Sequence, residues 1–255
     1  MQNGIEVLEP PTSKQSAKLL CIRCPVISHS IEDVVLANID EVSTFVMNKR
    51  RDEHLSSRWL LAQALAKWGF DAGELEVRRN QYRAPSLAYL QGLWKNTPLP
   101  SISIGHSEGW AYVALIENGW TVGIDGEPDK RMIAENAFDM MALGDELQYL
   151  RDNPHLAIRT WTAKEALQKA MRLGMNLNPR KIRFPIGVKE CNFSIENSNF
   201  QLVSWTHKEA HISLAWGEGN GYDSVPEDEL LEATRKAMIN ADSWAIGCNT
   251  SRNNI

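Results

Sequence analysis

Apolar and polar positions along this chain fall into stretches of two distinct periods. Residues 17–27 (AKLLCIRCPVI) form a short, nearly continuous apolar run of strand length. From about Ser56, Leu60, Leu61, Ala64, Leu65 and Trp68 recur at helical spacing until Gly69, which predicts a helix ending there. A basic, turn-rich stretch leads to SISIGHSEG. In the following WAYVALIENGWTVGIDGE, Trp110, Tyr112, Ala114 and Ile116 alternate with Ala111, Val113 and Leu115. Asn118-Gly119 is a hairpin signal, so two paired strands are expected, the second ending at Asp125. Helical patterns return from about Ile133 to Leu150 and from Thr160 to about Leu173, before Gly174. Lys181 to Gly217 reads mostly as strand, and a last amphipathic helix is expected from Pro226, whose ring suits a first helical turn. The first dozen residues, ending in Pro10-Pro11, and the polar tail after Ala245 read as loose.

Strand and helix alternate in both halves, with a boundary near Asn118–Gly119. The fold class expected is α+β, with an N-terminal subdomain over 1–118 and a C-terminal one over 119–255.

Composition narrows the function. The 255 residues are 43% hydrophobic and 23% charged, enough to bury a sizeable core. No run approaches the roughly 18 apolar residues of a membrane span. MQNGIEVLEPPTSK has neither the basic start nor the apolar centre of a secretion signal, so a cytoplasmic protein is expected. A net charge of −5 argues against nucleic acid as a bulk partner. Basic residues are nonetheless bunched. Arg159, Lys164, Lys169, Arg172, Arg180, Lys181 and Arg183 face only Glu165 in one segment. Lys49, Arg50 and Arg51 open another, followed by Arg58, Arg78, Arg79 and Arg83. Such clusters in an acidic chain fit a compact phosphate-rich ligand or, equally, solvated helix faces. Cys21-x-x-Cys24 has no second pair to complete a zinc site, since Cys191 and Cys248 stand apart, and it lies in an apparent buried strand.

Three motifs bear on chemistry. Gly105-His106-Ser107-Glu108-Gly109 fits G-x-S-x-G, the nucleophile elbow of hydrolases. That elbow needs a helix after the serine, and a strand follows here. In Gly123-Ile124-Asp125-Gly126-Glu127, the two carboxylates stand at i and i+2 of a strand and project to one side. Two hard oxygen donors with open positions suit a magnesium ion shared with a substrate phosphate, although a solvated pair at a strand end is commoner. In Trp161-Thr162-Ala163-Lys164-Glu165-Ala166-Leu167-Gln168-Lys169, Glu165 and Lys169 share one helix face. A carboxylate for a metal beside an ammonium for a phosphate suits phosphoryl-type transfer.

G-I-D-x-E, then W-x-x-K-E-A-x-x-K downstream, with His106-Ser107 upstream, resembles the 4′-phosphopantetheinyl transferase superfamily. The blocks stand in the family's order and span about Ser101 to Met175. The long N-terminal half resembles the monomeric, two-subdomain, surfactin-synthetase-activating type. The resemblance implies two similar α/β subdomains in a pseudo-twofold arrangement, with the active site at their junction. It implies transfer of phosphopantetheine from coenzyme A to a serine of an acyl or peptidyl carrier protein, with Mg²⁺ as cofactor. By the same resemblance Asp125, Glu127 and Glu165 would hold the metal, Lys169 the pyrophosphate, and Glu165 would take the serine proton. Asp125, Glu165 and Lys169 are thus the implied catalytic set. His106, Ser107, Arg58, Arg51, Arg83, Lys164 and Lys169 are the implied coenzyme contacts. Glu146 or Asp145 would be the family's acidic residue in the helix after the D-x-E block. Arg131, Met132, Phe138, Met140 and Met141 are candidates for a carrier-docking face or, equally, for core.

Departures accompany the match. Gly105 stands where the family often has serine, Arg83-Ala84-Pro85 replaces G-K-P, and Gly126 replaces an apolar residue. Two other readings stay open on these residues: a non-catalytic coenzyme A or carrier-binding relative, and a Mg²⁺-dependent phosphohydrolase.

Overall fold

The computed structural model describes residues 4–12, 17–93, 95–183, 189–195 and 198–219. The helix expected from Pro226 lies outside them.

The first sheet is antiparallel, in the order β1 (Glu6–Leu8), β2 (Leu19–Pro25), β6 (Trp110–Ile116), β5 (Ser101–Ser107). The second runs β7 (Trp120–Pro128), β10 (Ala210–Glu218), β9 (Ser198–His207), β8 (Glu190–Ile195). A small ribbon pairs β3 (Leu75–Arg79) with β4 (Pro85–Tyr89). The helices are α1 (Ile39–Ser43), α2 (Asn48–Trp68), α3 (Phe138–Met141), α4 (Gly144–Asp152) and α5 (Ala157–Ala170). The chain is α+β, as expected.

Strand alternation explains the layering. Ile22, Cys24, Ala111, Val113 and Leu115 face α2 and pack on Leu60, Leu61, Ala64 and Leu65. The opposite face of the first sheet, with Cys21, Tyr112, Ala114 and Ile116, packs on Val122, Ile124, Ile212, Leu214 and Trp216 of the second. The outer face of the second sheet packs Leu202 and Ala215 on Ala163, Ala166, Leu167 and Ala170 of α5. The order of layers is therefore α2, sheet, sheet, α5. Each fully buried leucine in these cores contributes roughly 2 kcal/mol of transfer free energy.

Three expectations are corrected. The Asn118–Gly119 turn forms, with Gly119 at φ 89°, but it joins no hairpin. β6 pairs with β2 and β5, whereas β7 pairs with β10, so the turn carries the chain from one sheet to the other. The helix expected from Ser56 starts at Asn48. Its first turns bury Glu53, His54, Ser57 and Arg58, so the buried face there is polar and invisible to apolar periodicity. Its C-terminus is as read: Gly69 adopts φ 96° and caps the helix. The expected single helix from Ile133 to Leu150 is broken into a short turn, α3 and α4.

Candidate functional site

The site grows out of β7. Val122 and Ile124 point into the core between the sheets, so Thr121, Gly123, Asp125 and Glu127 point toward α5. Gly123 makes that approach close. A methyl group there would lie 1.9 Å from the carbonyl oxygen of Ala166 and 2.4 Å from the nitrogen of Ala170. With the helix backbone seated on this bare position, Glu165 and Lys169 hang over the end of β7 beside Asp125.

The Lys169 Nζ donates to Asp125 Oδ1 at 2.7 Å and to the Ile124 carbonyl at 3.1 Å, and lies 4.0 Å from Glu165 Oε2. Burial works against the Lys169 charge, but Asp125, Glu165 and Glu127 together raise its pKa. Glu165 shows the converse. Burial and the Asp125 charge push its carboxyl up to about 7. Glu127 accepts from Ser107 Oγ and from Arg131 at 2.7 Å.

β5 flanks β7 along the seam, with Ser103 Oγ accepting from the Ile124 amide at 3.0 Å. At its end His106 and Ser107 project to opposite sides. Ser107 reaches Glu127, while His106 faces a cavity of about 210 Å³. That cavity is lined by Arg50, Arg58, Arg79, Arg83, Arg172 and Lys169, with His54 and His106, and no carboxylate lines it among the described residues. Arg58 is 4% exposed and its Nη1 has no hydrogen-bond partner. Burial and the neighbouring Arg79 lower its pKa to about 10. Burial and Arg58 likewise bring His54 down to about 4, so its ring is neutral near pH 7. Glu41 pairs with Arg79 at 2.7 Å and lies 3.9 Å from Arg58, and Glu53 lies 3.5 Å from Arg50. A convergent set of cations that includes a buried guanidinium with an unsatisfied Nη1 nonetheless suits a polyanionic ligand.

Residues 121–223 match the family model of the 4′-phosphopantetheinyl transferase superfamily. The likeness to that superfamily covers this stretch, less than half of the chain. No curated protein matches the chain. The superfamily acts on carrier proteins with coenzyme A and typically uses metal ions. The matched stretch includes Asp125, Glu127, Glu165 and Lys169. His106, Ser107 and the basic residues of α2 and the β3–β4 loop lie before it.

The carboxylates fit the metal that a phosphopantetheinyl transferase typically uses. Asp125 is 6% exposed, and its buried Oδ2 has no hydrogen-bond partner. Glu165 resists ionisation beside it, and both are hard oxygen donors. Among the described residues no three carboxylate, imidazole or thiol groups are closed into a cage. Lys169 instead neutralises Asp125, and Arg131 neutralises Glu127.

Other residues implied by the resemblance fall in different places. Arg83 lines the arginine cavity from the β3–β4 loop, at φ 66°. The Asn80 side chain accepts from the amides of Tyr82 and Ala84 at 3.0 and 2.9 Å and shapes that loop. Arg51 is not among the residues lining the cavity; it is exposed and faces Glu32. The neighbouring Arg50 enters instead and contacts His106 Nε2. Lys164 is fully buried and is not among the residues lining the arginine cavity. Its Nζ donates to Glu146 at 2.7 Å, to the Met141 carbonyl at 2.5 Å and to the Pro179 carbonyl at 3.1 Å, which ties α5 to α3 and α4. Glu146, not Asp145, is thus the buried acid. Of the docking candidates, Phe138 and Met141 are core, whereas Met132 and Met140 are exposed.

The sequence reading missed Arg50, His54, Arg79 and Arg172 as cavity residues. Arg50 and Arg79 stood in basic clusters that charge counting could not resolve singly. His54 had no motif to mark it.

Two departures from the family pattern have structural counterparts. A methyl group on Gly105 would lie 3.1 Å from Lys169 Nζ, so the ammonium rests against bare backbone. One on Gly126 would lie 2.6 Å from the Tyr112 ring, so an aromatic from the first sheet fills the space of a larger side chain. Gly105 to Ser107 end β5, Glu108 and Gly109 form the tight β5–β6 turn at φ 41° and 80°, and no helix follows.

Proposed function

We propose that this protein transfers the 4′-phosphopantetheine of coenzyme A to a serine of an acyl or peptidyl carrier protein, releasing 3′,5′-ADP. The observation that supports this best is Lys169, whose ammonium joins the Asp125–Glu165 carboxylates to the arginine cavity. One end of that junction suits a polyanionic nucleotide and the other a nucleophile that must lose a proton.

On this reading the nucleotide phosphates lie among Arg50, Arg58, Arg79 and Arg83, and the pyrophosphate meets His106 and Lys169. The carrier serine Oγ bonds to the β-phosphorus, and the bond from that phosphorus to the oxygen bridging to the α-phosphate breaks. The electron pair leaves with 3′,5′-ADP, and Lys169 stabilises the charge that develops there. Glu165, on the helix face it shares with Lys169 and beside Asp125, takes the serine proton. Asp125, Glu127 and Glu165 are the residues that would hold Mg²⁺, which when bound supplies charge neutralisation at the pyrophosphate.

The two sheets, each packed on one long helix, support reading the chain as two related subdomains of the surfactin-synthetase-activating type. A monomer then suffices, with residues 1–118 supplying the nucleotide side and 119–255 the carboxylates.

The test is release of 3′,5′-ADP from coenzyme A and Mg²⁺ across a panel of apo-carrier proteins. Release that depends on carrier is expected. Release of phosphate or nucleotide without any carrier would favour the phosphohydrolase reading.

A further inference from the structure

The arginine cavity has a buried carboxylate at its back. Glu53 is 8% exposed, stands one helical turn after Arg50 on α2, and is not among the residues lining the cavity. Burying a carboxylate is unfavourable, and a negative charge beside an anion site repels the ligand. Glu53 therefore opposes both folding and binding unless its contacts outweigh the two effects.

Those contacts are specific. Glu53 Oε2 lies 3.4 Å from His106 Nδ1 and 3.5 Å from Arg50 Nη1. Through its other nitrogen, Nε2, the His106 ring contacts Arg50 Nη1. A guanidinium donates and cannot accept, so Nε2 is the acceptor and the neutral ring carries its proton on Nδ1, toward Glu53. The ring is neutral near pH 7 in the ligand-free protein, because burial and then Arg50 hold its pKa below the ordinary value. Lys169 of α5 acts in the same direction, while Glu53 and Asp125 of β7 oppose it. Carboxylate, imidazole and guanidinium thus close a triangle that ties the end of β5 to the first turns of α2.

A phosphate entering the cavity draws Arg50 to itself and leaves Nε2 facing an ionised oxygen, which only accepts. Nε2 must then donate, so the ring gains a proton and becomes an imidazolium. The entering charge favours that form, and Glu53 at Nδ1 is the carboxylate already placed to hold it. A carboxylate behind a histidine also fixes which nitrogen meets the ligand.

We propose that Glu53 is a positioning residue that holds His106 by its Nδ1–H, with Nε2 turned to the arginine cavity, where the ring takes up a proton from solvent as a phosphate displaces Arg50. Glu53 itself touches no substrate. The assignment rests on the transferase reading for the identity of the ligand, and it makes the loading of coenzyme A a proton-coupled step.

The ligand-free chain gives the first reading. The imidazole nitrogen shifts of His106 should show a neutral ring protonated on Nδ1; protonation on Nε2 overturns the assignment. Calorimetric titration with coenzyme A, near pH 7 and in buffers of different ionisation enthalpy, gives the second. The wild type should take up more protons on binding than His106→Ala, a comparison that subtracts any change in the ligand's own phosphates. Glu53→Gln should bind about tenfold more weakly than the wild type, with clearly smaller uptake. Charge alone predicts the opposite sign, since removing an acid beside an anion site tightens binding. In a His106→Ala background only that repulsion remains, so Glu53→Gln should there leave affinity unchanged or raise it. Equal weakening in both backgrounds would mean that Glu53 acts through the fold, and unchanged affinity and uptake in the single variant would mean that it has no part in binding. Either result overturns the proposal. Should Glu53→Gln not fold, the nitrogen shifts and the proton uptake of the wild type still decide. A wild type that does not bind coenzyme A defeats the transferase reading, while the nitrogen shifts still test Glu53.

Discussion

Lys169 sets its ammonium 2.7 Å from Asp125 Oδ1, in space left by the missing side chain of Gly105. One cation thereby neutralises a buried carboxylate and lines the arginine cavity. Replacing it with an isosteric apolar residue leaves Asp125 charged and uncompensated and removes the group placed to stabilise the leaving phosphate. Lys169→Met should lower kcat/KM for transfer by about two orders of magnitude or more, measured by steady-state kinetics.

Arg50 and Arg51 are adjacent in sequence and unequal in position. Arg50 lines the cavity and touches His106, whereas Arg51 faces solvent. Arg50→Ala should weaken 3′,5′-ADP binding by about tenfold, the value of a charge-assisted hydrogen bond. Arg51→Ala should change it by less than about twofold, as expected of an exposed charge. Titration calorimetry on the two variants reads the contrast.

Much of this site was legible because strand and helix periods place side chains by simple counting. Asp125 and Glu127 at i and i+2, and Glu165 and Lys169 at i and i+4, fall on common faces by sequence spacing alone, and the structure places them so. The place of His54 was not legible, because its helix begins with a buried polar face. Nor was the separation of Lys164 from Glu165. Adjacent helical residues point about 100° apart, which sends one ammonium into the α3–α4 packing while its neighbour faces the site. The sheet change after β6 was hidden for a third reason. Asn-Gly specifies a tight turn but not whether the strands on either side then pair.

Gly126 and Tyr112 form a matched pair across the two sheets. Gly126→Ala places a methyl 2.6 Å from the Tyr112 ring and should cost about 1–3 kcal/mol of unfolding free energy. In a Tyr112→Leu background the same change should cost clearly less. A double-mutant cycle by urea denaturation measures this coupling.

Glu165 imposes a pH dependence on stability. Its carboxyl is pushed up from 4.5 to about 7 in the folded protein. Below pH 4.5 both states are protonated and the group costs nothing. Between 4.5 and 7 the unfolded chain ionises first, so folded stability falls as pH rises; above 7 the full cost persists. Glu165→Gln removes this cost. Its stability advantage over wild type should grow from near zero at pH 4.5 to a plateau of about 3 kcal/mol above pH 7, read from urea melts. Added Mg²⁺ should narrow that difference by stabilising the ionised cluster.

Covalent transfer to the acceptor is measured directly by intact mass spectrometry. Apo-carrier proteins of the fatty-acid, polyketide and peptide-synthetase kinds are incubated with coenzyme A, Mg²⁺ and either wild type or Glu165→Gln. At least one carrier should gain the mass of phosphopantetheine with the wild type, and none should with the folded variant. Unmodified carriers throughout, while a known transferase loads them under the same conditions, would contradict it.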